Sequence, residues 1–166
     1  MKRSVAVNVE IDKAGNPTAA HAETRIERPV SDVWKVVSDV SRYAERIPMM
    51  HRVRLERDRA TVDLKFKISL FSVGFQFVVD VEQKHEESIA LRWVSGEPRG
   101  IHLRFDLDPL DDGAACRLRS TGEFDAMSLG WLAKYFLKHH PEIQFGIVPG
   151  VAVGLLESMR QALDKG

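Results

Sequence analysis

The stretch that decides the fold is Pro149-Gly-Val-Ala-Val-Gly-Leu-Leu-Glu-Ser-Met-Arg-Gln-Ala-Leu-Asp-Lys165. Apolar residues recur there at steps of three and four, which predicts one buried stripe along an α-helix. About sixteen residues at roughly 1.5 Å each make a rod of about 24 Å, long enough to cross a small sheet. Pro149 suits the first helical turn, because its missing N–H has no partner to lose there.

A second stripe along the same helix consists of small residues: Gly146, Gly150, Gly154 and Ser158. Each glycine inside a helix costs about 1 kcal/mol relative to alanine. Two interpretations are open. The small residues allow a close contact between helix and sheet, or they leave room for a ligand.

The seventy or so residues after Pro48 have a hydrophobic period of two, which is typical of half-buried strands. Turn residues such as Asp111-Asp-Gly113 separate the alternating segments. Their short connections predict an antiparallel meander with one buried face and one solvent-exposed face. The side chains expected on the buried face are Leu64, Phe66, Phe75, Phe77, Val79, Leu91, Trp93, Leu103, Phe105 and Leu118.

The amino-terminal part combines strands and short helices. Alternation in Val5–Ile11 and again in Ala20–Arg28 predicts a hairpin. Pro29 then begins a helix with an apolar side, and a second short helix is expected over Ser41–Ile47. The predicted order is strands, helix pair, antiparallel strands and terminal helix, within a single domain of residues 1–166.

Composition excludes several classes of protein. Lysine and arginine total 24 and aspartate and glutamate total 24, so no net field attracts nucleic acid. The lone Cys116 forms no internal disulfide and fits a reducing compartment. The first ten residues lack the apolar core of a signal peptide. This feature and the lone cysteine together predict a cytoplasmic protein. The histidines lack zinc-site spacing and the glycines form no phosphate loop, so no metal and no cofactor are predicted.

The stretch from Ile26 to Pro48 resembles the START-like (SRPBCC) superfamily, in particular its polyketide cyclase/dehydrase or coenzyme Q-binding branch. That branch opens with a strand ending in proline, an apolar helix with tryptophan, an aspartate, a tyrosine and a closing proline. The matching positions here are Pro29, Val33, Trp34, Asp39, Tyr43 and Pro48. The resemblance covers about Ala20 to Leu163, whereas residues 1–19 and the long aromatic segment 126–144 are additions.

This resemblance implies an α+β helix-grip fold, in which a curved antiparallel sheet wraps around a long carboxy-terminal helix. It also implies a hydrophobic small-molecule ligand, such as a lipid, quinone or polyketide, in a cavity between the two. A core filled by the same residues is the alternative. The ligand-binding residues expected from inward alternation and from the helix are Phe66, Phe75, Phe77, Leu91, Trp93, Leu103, Phe105, Leu118, Ser120, Trp131, Tyr135, Gly150, Gly154 and Leu155.

Catalysis has weaker support than binding, because no acid, base or histidine falls on the apolar side of the clear strands. The polar candidates for a catalytic role are Tyr43, His51 and Tyr135. The first hypothesis is therefore a non-catalytic carrier, and the second is a cyclase/aromatase-type enzyme. The third is an interaction module in which segment 126–144 forms a homodimer contact or a transient membrane contact; the same segment could cover the cavity mouth or pack on its own domain.

Overall fold

The computed structural model describes residues 5–68, 71–123, 125, 128, 138, 139 and 144–165, and among these it leaves out the side chains of 66–68, 71, 144 and 145. Within these described residues, α-helices and the 3₁₀ turns Val40–Arg42 and Asp111–Gly113 accompany the strands. The helices are α1 (Val30–Val37), α2 (Tyr43–Arg46) and α3 (Gln144–Asp164). The strands are β1 (Ala6–Ile11), β2 (Pro17–Ile26), β3 (Met50–Glu56), β4 (Arg59–Ile68), β5 (Phe71–Lys84), β6 (Ser88–Gly96), β7 (His102–Leu110) and β8 (Ala115–Glu123).

These strands form one sheet in the order β1-β2-β8-β7-β6-β5-β4-β3, with every neighbouring pair antiparallel. The predicted α+β class is confirmed, because the meander β3 to β8 follows the helix pair and the chain returns in α3. β1 pairs with β2 as the predicted hairpin and extends the sheet by an edge strand.

Helix α3 packs mainly on β2 and β8. Small residues on the sheet allow this approach: Ala20, Ala22 and Ser120 are buried beneath the helix, and Gly122 has no side chain to separate the layers. A Cβ built on Gly122 would lie 3.1 Å from Val151 Cγ1. The close contact between helix and sheet therefore depends on small residues of the sheet.

The structure corrects two predictions about this helix: the place of Pro149 in the first turn, and the place of Gly146 and Gly150 beside the sheet or a ligand. It includes Gln144, so Pro149 lies inside it instead of in the first turn. Proline there removes one backbone hydrogen bond, a loss that α3 tolerates near its amino end. Gly146 and Gly150 are exposed, with no atom within 4 Å of a built Cβ. Each of them is two residues from the buried Val148, and residues two apart on a helix differ by about 200° in direction. The two glycines therefore lie on the side of α3 opposite the buried stripe.

Candidate functional site

The inner face of the sheet carries the apolar residues that alternation predicted. Each of six predicted lining residues is at most 4% exposed, and Phe75 is half-buried. The Phe66 side chain lies outside the described part of the structure. The six are Phe77, Leu91, Leu103, Phe105, Leu118 and Ser120.

This face is almost free of charge. In the described strands, Cys116 is the one titratable side chain on the inner face, and burial raises the pKa of its thiol to about 11. Ser120 is fully buried and its Oγ donates to Ala152 O at 2.6 Å, which ties β8 to α3. The lining consequently offers apolar contact to a ligand and no fixed charge.

Trp93 is exposed, unlike the other predicted lining residues of the strands whose side chains are described. It shares a face with Leu91 on β6 and with its partner Val79 on β5, and both of these are buried. The Trp93 side chain is nevertheless 37% exposed, and its indole N–H donates to Gly96 O at 3.1 Å. A register shift in the β5–β6 pairing lies next to it. Pairing with Val79 agrees with the predicted side of Trp93, but its apolar surface reaches solvent, and its contact with a ligand stays a prediction.

The loop after β6 positions this end of the sheet. Gly96 has φ +90°, and a Cβ there would lie 2.3 Å from Gln76 O, so β6 passes close to β5. The Arg99 N–H donates to Ser128 Oγ at 2.7 Å, and Ser128 is buried. This hydrogen bond places Ser128 beside the loop that follows β6. The predicted site residues Trp131 and Tyr135 lie outside the described residues.

Tyr43 has a structural role in this arrangement. It is 1% exposed, its hydroxyl donates to Val37 O at 2.5 Å, and its ring meets Phe105 edge-on at 6.3 Å. Burial raises the pKa of Tyr43 well above its ordinary value. A hydroxyl held by a backbone carbonyl and shielded from solvent is not placed to protonate a ligand, so the structure corrects its proposed catalytic orientation.

His51 does not take the inward orientation that a catalytic role would require. The β3–β4 register shifts between Met50 and Arg52, so His51 is the extra residue of a bulge and its side chain is exposed. Met50 takes the inward position instead and is 2% exposed. Alternation of residue types does not reveal such a bulge, because one extra residue reverses the faces that follow.

Two of the residues that α3 was expected to contribute, Leu155 and Gly154, remain predicted ligand-binding residues. Leu155 is fully buried in the core, and Gly154 is half-buried with its built Cβ 3.7 Å from Met49 Cε. Gly150 is exposed on the outer side of α3, which corrects its proposed place in the lining. Met49, which follows the short helices, is a neighbour of the site that the sequence did not indicate.

Comparison with known proteins places this arrangement in a family. Residues 26–140, more than two thirds of the chain, match the family described as polyketide cyclase / dehydrase and lipid transport. The chain belongs to this family. The resemblance to the polyketide cyclase/dehydrase branch of the START-like superfamily is thereby confirmed. No curated protein matches the sequence.

Solved structures share the fold of this chain at low sequence identity. The Zhui aromatase/cyclase from Streptomyces sp. R1128 matches with a TM-score of 0.59 and 15% identity, over 98% of this chain and 95% of that one. A Thermus thermophilus protein matches with a TM-score of 0.66 and 13% identity, over 86% and 94%. A START superfamily protein from Mycobacterium smegmatis has a TM-score of 0.57 and 14% identity, over 83% and 99%. At these identities the likeness shows the helix-grip fold alone.

Other features of this family domain do not resemble a functional site. A surface depression of ≈ 640 Å³ lies at the β3–β4 turn, but charged residues such as Glu56, Arg57 and Asp58 line it, which does not suit an apolar ligand. Within the described ranges, no three His, Cys, Asp or Glu side chains are grouped to hold a metal ion. The described helices include none with the length and hydropathy needed to span a bilayer.

Proposed function

We propose that this chain binds and carries a neutral hydrophobic small molecule, of the lipid, quinone or polyketide type, between the inner face of its sheet and α3. The family to which the chain belongs is one of polyketide cyclases, dehydrases and lipid transport proteins, which supports a ligand-binding role. The apolar inner face agrees with such a ligand, since burying apolar surface contributes roughly 25 cal/mol per Å².

The observation that carries this proposal is the position of Trp93. The residues beside it on the inner face, Leu91 and Val79, are buried, whereas the Trp93 side chain is 37% exposed. A large aromatic surface at the margin of a dry lining is suited to contact an apolar ligand, while its indole N–H is already bonded to Gly96 O. A ligand that covers this indole gains apolar contact and breaks no hydrogen bond.

The absence of charge on the described lining favours binding over acid–base reaction. General acid–base catalysis needs a titratable group within hydrogen-bond reach of the ligand. Tyr43 donates to a backbone carbonyl and His51 is exposed at a bulge, so neither is placed for that role. A charged ligand would also lack an ion-pair partner on this face, which favours a neutral molecule.

Native mass spectrometry of the purified protein, followed by titration with the neutral apolar dye Nile red, tests this function. Trp93→Arg should weaken dye binding about tenfold. Losing roughly 60 Å² of apolar contact costs about 1.5 kcal/mol, and every 1.4 kcal/mol is tenfold in affinity. Ile11→Arg is the matched control, because Ile11 is also an exposed apolar residue, at 55%, but lies on the edge strand β1.

The control should bind the dye as the wild type does, and both variants should unfold at the wild-type urea concentration. Saturable binding that Trp93→Arg does not weaken would place the ligand elsewhere. A wild-type protein that carries no co-purified ligand and does not bind Nile red would refute the proposed function.

A further inference from the structure

Strand β1 forms one edge of the sheet, and β3 forms the other. On one side β1 pairs with β2, and the pairing is regular from Ala6 to Glu10 before the register shifts at Ile11. Among the described strands, none pairs with the other side of β1. The backbone N–H and C=O groups that point away from β2 therefore form a template on which a further strand can pair.

The two edge strands differ in charge. β3 carries the exposed charged residues Arg52, Arg54 and Glu56, and charged side chains on an edge discourage pairing with another chain. β1 has a single charged residue, Glu10, whose Oε1 lies 2.8 Å from Nε2 of His21 on β2. The edge at β1 consequently lacks the protection that the edge at β3 has.

The inner face of β1 carries an apolar row that is open to solvent. Val7 pairs with Ala22 and Val9 pairs with Ala20, and both alanines are buried beneath α3. Val7 is nevertheless 47% exposed, and Ile11 is 55% exposed at the end of the strand. Helix α3 packs mainly on β2 and β8 and leaves much of this row uncovered. An apolar row beside an unpaired strand edge is suited to the addition of a strand.

The sequence of β1 is complementary to itself in an antiparallel pairing. With a two-fold axis at Asn8, Val7 of one copy lies opposite Val9 of the other, and Ala6 lies opposite Glu10. Apolar residues then meet on the inner face, and the two Glu10 side chains do not face each other, which avoids a destabilising like-charge pair. This register also uses the whole regular part of the strand, Ala6–Glu10.

We propose that two copies of this chain form a symmetric dimer by antiparallel pairing of β1 with β1 about Asn8, which joins their sheets into one. Two-fold dimers with the same surface on both subunits are the commonest homo-oligomers. A strand from a different protein would need no self-complementarity in β1, so the residue pattern favours a second copy. Standard interfaces have about 20 to 30 residues a side, so this smaller pairing should dissociate on dilution. The dimer does not depend on the proposed function, because it concerns an edge strand and not the lining.

Sedimentation equilibrium over a wide range of protein concentration tests this dimer. The mass of the wild type should rise from that of a monomer to that of a dimer. Val7→Lys should raise the dissociation constant at least about tenfold, because it places a charge in two symmetric apolar contacts. Leu55→Lys is the matched control, since Leu55 is 41% exposed on the other edge strand and its variant should dimerise as the wild type does.

Single cysteines test the register directly. Residues directly opposite in an antiparallel pair have Cα atoms about 4.5 to 5.5 Å apart, within the range that a disulfide spans. Under oxidation by copper–phenanthroline, Asn8→Cys should form a covalent dimer. Ala6→Cys should form one only when it is mixed with Glu10→Cys. The wild type should form none, because its Cys116 is buried.

Circular dichroism and urea unfolding of each variant show that the fold is retained. A wild type that stays monomeric at every concentration would overturn the dimer, and so would equal weakening by Leu55→Lys. Cross-linking of Ala6→Cys alone as readily as Asn8→Cys would overturn the proposed pairing about Asn8. Val7→Lys should bind Nile red as the wild type does, so failure of the dimer and failure of the proposed function are distinguishable.

Discussion

Replacing Gly96 with alanine tests whether the end of β6 positions the candidate site. Gly96 has φ +90°, a region that L-residues rarely adopt. Its built Cβ would lie 2.3 Å from Gln76 O and 2.6 Å from Phe77 Cα. Both contacts are with backbone atoms of β5, so no side-chain rotation relieves them. Either β6 moves away from β5 or the register next to Trp93 changes.

The magnitude has two parts. The left-handed backbone costs a non-glycine residue about 1 kcal/mol. The clash with backbone atoms of a paired strand adds about 2 to 3 kcal/mol, the upper part of the usual cost of inserting extra atoms into a packed region. Gly96→Ala should therefore lower the free energy of unfolding by about 3 to 4 kcal/mol. Gly100→Ala isolates the first part, because Gly100 has φ +70° and no atom within 4 Å of its built Cβ.

Equilibrium urea unfolding of the two variants beside the wild type measures the difference. Gly96→Ala should also weaken Nile red binding, since the Gly96 carbonyl accepts the Trp93 indole N–H at 3.1 Å. If Gly96→Ala is no more destabilising than Gly100→Ala, β6 does not approach β5 as closely as the structure shows. The claim that the end of β6 positions Trp93 at the candidate site would then be refuted.

Two further predictions concern buried titratable groups. Tyr43→Phe should lower the free energy of unfolding by about 1 to 2 kcal/mol, because it leaves the buried Val37 carbonyl without its donor, and it should leave Nile red affinity unchanged. A tenfold loss of affinity would contradict the structural role of Tyr43. The folded-state pKa of Cys116 is raised from 9.0 to about 11, so its stabilisation is complete below pH 9 and is lost as the pH rises through 11. Urea unfolding from about pH 8 to about pH 11 should show a fall of about 2 kcal/mol that Cys116→Ala lacks. An equal fall in the variant would refute it.

Alternation along the strands predicted the inner face because successive side chains of a strand point to opposite sides. Phe77, Leu91, Leu103, Phe105 and Leu118 are buried on that face as expected. Alternation did not decide the side of His51, because an extra residue in β3 displaces the pattern and leaves this side chain exposed. A bulge depends on what the neighbouring strand accepts, and that strand is remote in the sequence.

For the terminal helix too, local sequence predicted some features, whereas contacts between distant residues decided others. Its stripe of apolar residues was visible in the sequence, and Val148, Val151, Leu155 and Met159 are buried. Pro149 was placed in the first turn because proline favours that position, yet preceding residues extend the helix. The helix glycines were expected to allow a close contact with the sheet or to leave room for a ligand, but Gly146 and Gly150 are exposed. Which side of a helix is covered depends on the packing of the other elements.

The order of the elements, the apolar face of each strand and the family membership were determined by the sequence alone, since each depends on residue type at short spacing. Tertiary structure decided which small residues let α3 approach and where the apolar lining reaches solvent at Trp93. These features depend on register and on contacts between residues far apart in the chain. A local pattern specifies the faces of an element, but not the neighbour that covers each face.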